Sequence, residues 1–357
     1  MSEHFDLEEA SRVFGEQGFV VIRGLFSPEE IDALQHAYSV LLHKAEAVLE
    51  EHINPDTVLA PRPDGPLAII EHSDGVRYDY TLREVDQAEA ALAAPTLRTH
   101  THTGSFDLKL AAHCGTAHPT LAALGGDENP KLLAVAAALL GINPDADERA
   151  MVQIIQQAHF KGPGSKCAFV WHQDSQFRRF HWGDFIDTNG RGSYVNIAVA
   201  MDGEIASDGI NPAITPDGDH NGPLGVIPDT WRGGHLSGAN GLDQATVDPR
   251  QAQYPLLQPG DALCVGPFIV HGSNANNSAT SWRRSFITGF ALPDAIKSAK
   301  PEAKFDATDQ DNGTLGMSWF KERQAPQALA PSDAPTGRVQ IGGRPSAQEF
   351  LTAMSKS

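Results

Sequence analysis

The chain has 357 residues, of which 41% are hydrophobic, and this is enough for one large domain without requiring a second. Its formal net charge of -18 disfavours a phosphate backbone or an anionic membrane surface, so we expect neither nucleic acid nor membrane as a partner. The three cysteines, Cys114, Cys167 and Cys264, show no paired spacing and give no disulfide framework. Because no leader-like start and no bilayer-length apolar run occurs, the sequence predicts a cytoplasmic protein.

The first elements are predicted as a short polar helix over residues 1–16 and a β-rich run over residues 18–25. Ser27, Pro28 and Glu30 then form the pattern of a helix start with a capping box. The apolar spacing that follows predicts a helix that packs on the outside of a sheet.

Residues 53–128 are predicted as an insertion near the mouth of the fold, where it would shape a substrate pocket. Its pair His100 and His102 competes as a metal site. We interpret that pair as pocket wall, because no carboxylate in a matching strand follows it. Beyond this insertion, Asn129 and Pro130 predict the start of a helix that ends near Gly141.

Residues 151–160 are predicted as a strand in which Gln153, Ile155 and Gln157 share one face. Residues 161–166 are predicted as a loop without phosphate-binding spacing. The run Phe169-Val170-Trp171 is β-branched and aromatic, which favours a further strand.

That strand leads into His172 and Asp174, two residues apart and therefore on one face of an extended segment. Far downstream, an apolar strand-like run over residues 263–270 ends at His271. Two imidazoles and one hard carboxylate suit Fe(II) held on one face, with the opposite positions open. His172, Asp174 and His271 are therefore the candidate metal ligands.

Residues 282–290 are predicted as the next strand, with Arg283 and Arg284 near its start. An arginine at this point of a barrel is well placed to bind a carboxylate through two hydrogen bonds. The choice between the two arginines is open.

Two further residues are candidate substrate contacts. Arg178 lies in a cationic and aromatic segment just after Asp174, and the alternative for that segment is a salt-bridged lid. Asn196 lies in a predicted strand over residues 193–201, on the face shared with Tyr194, Ala198 and Ala200. A solvent-facing position for Asn196 is equally compatible with the pattern.

These motifs resemble the phytanoyl-CoA dioxygenase family of Fe(II)/2-oxoglutarate-dependent oxygenases, and its ectoine hydroxylase-like members in particular. The likeness spans about residues 18–290 and is specific in its combination. It is carried by Trp171-His172-Gln173-Asp174, by the opening over residues 18–30, by residues 221–228, by Gly260-Asp261 and by His271-Gly272-Ser273. Two features depart from the family pattern: Asp229-Thr230-Trp231 replaces Gly-Ser-His, and Arg283 lies one residue further from His271 than expected.

The resemblance implies a mainly β fold with flanking helices around a double-stranded β-helix, the jelly-roll or cupin arrangement. It implies Fe(II), 2-oxoglutarate and O2 as cofactor and co-substrates, with succinate and CO2 released as a small molecule is hydroxylated. Arg283 would pair with the distal carboxylate of 2-oxoglutarate, assisted by Ser273, and Gln153 would also contact it. Asp174 favours hydroxylation, because halogenating relatives carry a small residue at that position.

The residues alone leave two alternatives open, a metal-dependent cupin isomerase or hydrolase and a non-catalytic cupin-like binding protein. Neither would need Arg283. We predict an oxygenase domain over residues 1–295 and a C-terminal extension over residues 296–357.

Overall fold

The computed structural model describes residues 6–52, 67–82, 106–126, 129–142, 151–175, 194–236, 242–292 and 338–341. Three residues singled out above, Arg178, His100 and His102, lie outside these ranges. In the part of the chain that is described, no helix is both long enough and apolar enough to cross a membrane.

Strands form the core and helices flank it. The strands are β1 (Phe19–Ile22), β2 (Leu67–Glu71), β3 (Arg77–Leu82), β4 (Phe106–Ala112), β5 (Val152–His159), β6 (Phe169–His172), β7 (Tyr194–Ala200), β8 (Leu224–Ile227), β9 (Ala262–Val265), β10 (Val270–Ser273), β11 (Ser285–Ala291) and β12 (Arg338–Ile341). The helices are α1 (Leu7–Gln17), α2 (Pro28–His52), α3 (Pro119–Gly125) and α4 (Pro130–Leu140).

Two antiparallel sheets face each other across the core. The larger sheet has the order β1-β9-β7-β11-β5-β4-β3-β2-β12, and the smaller has the order β6-β10-β8. From β5 to β11 the chain alternates between the larger and the smaller sheet, and Gln253 adds a bridge to Val226 beside β8. The seven strands from β5 to β11, together with the bridge at Gln253, form the two sheets of a jelly roll. The predicted fold class is therefore confirmed.

The helices pack on the outer face of the larger sheet, as the sequence predicts. Tyr38 of α2 joins Phe286 and Phe290 of β11 in one buried apolar cluster. The capping box is confirmed: the Ser27 N–H donates to Glu30 Oε2 at 2.7 Å, and the Glu30 N–H donates to Ser27 Oγ at 3.3 Å. This reciprocal pairing satisfies two otherwise unpaired donors at the start of α2.

The predicted end of α4 near Gly141 is confirmed as well. Gly141 ends this helix with a φ of 70°, a left-handed conformation that glycine adopts without a steric cost. Asn129 caps the other end by accepting hydrogen bonds from the N–H groups of Lys131 and Leu132.

The prediction of one strand over residues 263–270 is wrong. Strand β9 ends at Val265, and the chain then crosses to the smaller sheet to begin β10 at Val270. Pro267 lies in this crossing, where it has no N–H to continue a ladder, and its carbonyl accepts from the Ser175 N–H at 2.9 Å. The break places His271 opposite β6 instead of leaving it in the larger sheet.

The segment predicted as an insertion, residues 53–128, supplies β2, β3, β4 and α3. These strands extend the larger sheet beyond β5. Strand β12, from the predicted C-terminal extension, pairs with β2 at the far edge. The domain boundary near residue 295 stays a prediction.

Candidate metal centre

Three side chains converge where the end of β6 meets β10. One ligand atom from each of His172, Asp174 and His271 lies within 4.8 Å of the other two. Asp174 Oδ1 is 3.9 Å from His172 Nε2 and 3.7 Å from His271 Nε2. A metal ion placed between them would therefore meet two ring nitrogens and one carboxylate oxygen.

Backbone contacts fix the orientation of both imidazoles. His172 Nδ1 lies 2.7 Å from the carbonyl oxygen of Val170, and His271 Nδ1 lies 3.1 Å from that of Ile269. A carbonyl can only accept, so each Nδ1 carries a proton and donates it. Each Nε2 then keeps its lone pair for a metal, the arrangement in which an outer partner sets the tautomer of a ligand.

The aspartate is held from the opposite sheet. Tyr194 Oη and Asn196 Nδ2, two residues apart on β7, each donate to Asp174 Oδ2 at 2.8 Å. Both donors use the same oxygen, which leaves Oδ1 facing the two histidines. This arrangement favours coordination of a metal through one oxygen, Oδ1.

A β-bulge helps to aim these ligands. His172 pairs with His271 and Phe169 pairs with Ser273, so three steps on β6 match two steps on β10. Phe169 and His172 therefore lie opposite residues that share one face of β10. A regular strand would have turned one of the two away.

Gln173 and Ser175 fix the backbone on either side of Asp174. The buried Gln173 side chain donates to the carbonyls of Gly234 and Phe268 and accepts from the Leu236 N–H at 2.7 Å. Ser175 Oγ lies 2.8 Å from Nδ1 of His235.

Arg283 lies in the protein interior. Its backbone pairs with Lys161, and its side chain is 2% exposed. Nε donates to Glu204 Oε1 at 3.3 Å, and Nη1 reaches Ser285 Oγ at 3.5 Å. Nη2 is buried and has no partner among the described residues. A guanidinium nitrogen in this state is costly unless an anion completes it.

Glu204 connects this arginine to the metal-binding strand. Its carboxylate also accepts from the N–H groups of Leu224 and Leu257, at 2.9 and 3.1 Å. Leu224 in turn pairs with Ser273, two residues after His271 on β10. Arg283 is thus tied to the strand that carries a metal ligand.

Lys161 is a second buried basic residue, and no motif of the sequence singles it out. Its side chain is fully buried, and Nζ donates to Ser273 Oγ at 2.7 Å and to the carbonyl of Asn274. Burial, and then the positive charge of Arg283, lower the pKa of this ammonium group well below its ordinary value. We call Lys161, Ser273 and Arg283 the cationic region.

Arg284, the alternative to Arg283, points to the other side. It forms a bidentate salt bridge with Asp202, at 2.9 Å through Nε and 2.7 Å through Nη2. Its guanidinium group also lies near the ring of Trp282. Arg284 thus uses Nε and Nη2 for Asp202 at a half-buried site. Arg283, in contrast, has one buried nitrogen, Nη2, without a partner among the described residues.

The predicted shared face of Gln153 and Gln157 is wrong. The pairing of β11 with β5 shifts register between Gly289 and Phe290, which turns Gln153 toward the helices. There Gln153 Nε2 donates at 2.6 Å to the carbonyl of Gly125 and to Thr288 Oγ1. This placement argues against the predicted contact of Gln153 with 2-oxoglutarate.

Gln157 remains on the interior side of β5. Its Oε1 lies 3.0 Å from Nε2 of His159, whose ring stacks on Phe169 at 4.8 Å between centroids. Asn196, predicted to contact substrate, uses Nδ2 for Asp174, while its buried Oδ1 has no partner within the described ranges.

A jelly roll with two histidines, one aspartate and a buried arginine defines the class of non-haem iron oxygenases. The comparison with protein families agrees: the model of the phytanoyl-CoA dioxygenase (PhyH) family matches residues 14–285. The chain belongs to this family, and the predicted membership is confirmed. It is accordingly an Fe(II)- and 2-oxoglutarate-dependent oxygenase.

Solved structures of similar fold include EvdO2 from Micromonospora carbonacea var. aurantiaca complexed with 2-oxoglutarate, at 18% identity and a TM-score of 0.48, over 80% of this chain and 90% of that one. EctD from S. alaskensis with bound Fe is 19% identical, with a TM-score of 0.48, over 80% and 76% of the two chains. The epimerase SnoN is 15% identical, with a TM-score of 0.49, over 80% and 83%. These likenesses are too distant to carry over what those proteins bind. A search of curated proteins found no match.

Proposed function

We propose that this enzyme hydroxylates a C–H bond of a small molecule, with one oxygen atom of O2 entering the product and the other entering succinate. Iron bound by His172, Asp174 and His271 would supply the redox chemistry that couples this step to loss of CO2 from 2-oxoglutarate. The carboxylate of Asp174 supports hydroxylation over halogenation, because it fills the position that a halide would need.

One observation carries the proposed co-substrate site: Arg283 is buried, yet its Nη2 has no partner among the described residues. The distal carboxylate of 2-oxoglutarate would complete this guanidinium. Ser273 and Lys161 would contribute a hydroxyl and an ammonium to the same carboxylate. A charge-assisted contact of this kind contributes roughly 1.5–3 kcal/mol.

The charges support the same assignment. Arg283 and Lys161 are two potential cations, and Glu204 is the carboxylate bonded to Arg283. Glu204 therefore offsets one positive charge in the empty protein, and a bound carboxylate would offset a second. Without it, Lys161 is driven toward its neutral form, in line with its lowered pKa.

Asn196 is our candidate for the primary substrate. Its Nδ2 holds the metal-binding carboxylate, and Oδ1 is free to accept a hydrogen bond from an O–H or N–H of a molecule beside the metal. Arg178 remains a predicted substrate contact. The expectation of a cytoplasmic protein also stays a prediction, supported by three buried cysteines that are not joined in disulfide bonds.

A series of 2-oxo acids tests the proposal. We expect O2-dependent succinate release from 2-oxoglutarate, and much slower decarboxylation of 2-oxopentanoate, which has the same chain length without the distal carboxylate. The preference should fall by about 10- to 100-fold in Arg283→Met, given the worth of a charged hydrogen bond. An unchanged preference in that variant would remove Arg283 from the co-substrate site.

A further inference from the structure

Lys161 and Arg283 present their side chains to the same part of the protein interior. The N–H of each residue donates to the carbonyl of the other, at 3.1 and 2.9 Å, so the two form a hydrogen-bonded antiparallel pair. The side chains of such a pair project to one face, with Cβ atoms about 4.5–5.5 Å apart. The amine of Lys161 and the guanidinium of Arg283 are therefore neighbours, and both side chains are buried.

The hydrogen bonds of the Lys161 side chain match those of a neutral amine. Nζ donates to Ser273 Oγ at 2.7 Å and to the carbonyl of Asn274, which accounts for the two hydrogens of an amine. An ammonium group would carry a third hydrogen, for which the described residues show no acceptor. Burial, and next the charge of Arg283, also lower the pKa of this group. Nζ in its neutral form has a lone pair and can act as a nucleophile.

The surroundings of Nζ suit a group that carries a negative charge. Arg283 Nη2 is buried and has no partner within the described ranges. Lys109 Nζ lies over the ring of Phe169, 4.7 Å from its centroid, and Lys161 Nζ lies over the same ring at 5.5 Å. Glu204 offsets the charge of Arg283. An anionic group on Lys161 would offset the charge of Lys109 and give Arg283 Nη2 an acceptor.

We infer that Lys161 is a carbamylation site, whose amine takes up the CO2 that this class of enzyme releases from 2-oxoglutarate. The bond from Nζ to carbon forms as one C–O π bond of CO2 opens to an oxyanion, and one amine proton passes to the buffer. Nothing is oxidised or reduced. The carbamate keeps one N–H for the Asn274 carbonyl, and its oxygen atoms accept from Arg283 Nη2 and from the Ser273 hydroxyl.

A carbamate on Lys161 would occupy the place proposed for the distal carboxylate of 2-oxoglutarate. CO2 would then compete with the co-substrate, which is a form of product feedback. This competition rests on the proposed function, whereas the carbamate itself does not. At the CO2 concentration that carbamylates half of the protein, the apparent Kd for 2-oxoglutarate should rise about twofold, because a competing ligand acts in proportion to one plus its concentration over its own Kd.

The test is 13C NMR of the full chain loaded with Zn(II), a diamagnetic ion without redox chemistry, after addition of 13C-labelled bicarbonate. Near neutral pH, where exposed lysines stay protonated, we expect one carbamate resonance that Lys161→Met loses and that saturating 2-oxoglutarate removes from the wild type. The control Lys131→Met changes a partly exposed lysine paired with Glu30 and should keep the resonance. Arg283→Met should raise the CO2 concentration required by about 10- to 100-fold.

Ethylation with triethyloxonium ion fixes the carbamate in the wild type, so the test survives if Lys161→Met does not fold. Trypsin should then leave the peptide spanning residues 150–166 uncut at Lys161 and heavier by one ethoxycarbonyl group. If neither this peptide nor a Lys161-dependent resonance forms at any CO2 concentration, the inference is overturned, while 2-oxoglutarate binding that needs Arg283 leaves the proposed function intact. A carbamate that persists at saturating 2-oxoglutarate would support the modification site and overturn the co-substrate site proposed at Arg283.

Discussion

The metal centre and the cationic region meet on one strand, β10, which carries His271 and Ser273, but they are completed in different ways. At the centre, His172, His271 and Asp174 each have one atom held by the protein and one atom left facing the others. In the cationic region, Arg283 is buried and its Nη2 has no partner within the described part of the chain. The side chains of the metal centre are thus oriented before a metal binds. The cationic region needs an anion to accept a hydrogen bond from Arg283.

This difference has an energetic meaning. The histidines donate to backbone carbonyls and Asp174 accepts from two side chains of β7, so the ligands are already oriented and little reorganisation is left for metal binding. A buried cation without a full set of partners destabilises the empty protein, and a bound anion recovers that cost. Metal and co-substrate affinities should therefore respond to separate sets of substitutions.

Asp174→Ala should give the largest effect, because it removes the only anion of the triad. We expect Fe(II) affinity to fall by more than the about 10- to 100-fold that loss of an outer partner causes. The measurement is anaerobic metal titration against a competing chelator. The exposed Asp208→Ala is the matched control, and wild-type affinity in Asp174→Ala would remove this residue from the triad.

Arg283→Met should weaken 2-oxoglutarate binding by about 10- to 100-fold with little change in Fe(II) affinity. Arg284→Met should leave binding nearly unchanged, since Arg284 is already paired with Asp202. Isothermal titration of the Fe(II) protein with 2-oxoglutarate separates the two.

Stability must be followed in the same variants. Arg283→Met leaves Glu204 buried without its cation, a change that costs roughly 3–5 kcal/mol when a buried pair is broken. The double variant Arg283→Met/Glu204→Gln should recover stability without recovering 2-oxoglutarate affinity. An Arg284→Met variant that loses more affinity than Arg283→Met would reverse the assignment.

Tyr194→Phe should weaken Fe(II) binding by about tenfold, the lower end of the range for an outer partner, because Asn196 still holds Asp174 Oδ2. Asn196→Ala should act similarly, and the double variant should exceed either single one. Competition titration with Mn(II) provides the measurement. Unchanged metal affinity in the two single variants and in the double variant would show that these hydrogen-bond donors have no influence on metal binding.

Lys161 should give the smallest effect, a pH dependence of 2-oxoglutarate binding. Its pKa is lowered in the empty protein, and a bound carboxylate raises it, so binding takes up a proton. Affinity should therefore fall as pH rises, by less than about tenfold per pH unit. Calorimetry in buffers of different ionisation enthalpy measures the uptake. Lys161→Met should bind 2-oxoglutarate without taking up a proton. Proton uptake equal to that of the wild type in this variant would contradict the role of Lys161.

The metal centre could be predicted from the sequence because its signals are local. His172 and Asp174 are two residues apart at a strand end, and His271 closes an apolar run, so no long-range information was needed to single them out. The helix starts were equally readable, since capping acts within three residues.

The errors share a different cause. The face of Gln153 was inferred from an alternation that a bulge interrupts, and no residue type in the segment announces the bulge. Lys161 belongs to a segment predicted as a loop, and no motif of the sequence singles out Glu204. Their burial follows from pairing with Arg283, far away in the chain, which residue patterns do not reveal.

The most direct test of the account is anaerobic addition of Fe(II) and then 2-oxoglutarate to the wild type and to His172→Ala, recording the weak visible charge-transfer band of the chelate. We predict a saturable band in the wild type and none in His172→Ala. In Arg283→Met the band should appear only at higher 2-oxoglutarate concentrations. An iron-loaded wild type that shows no band at any 2-oxoglutarate concentration would contradict the assignment of this site.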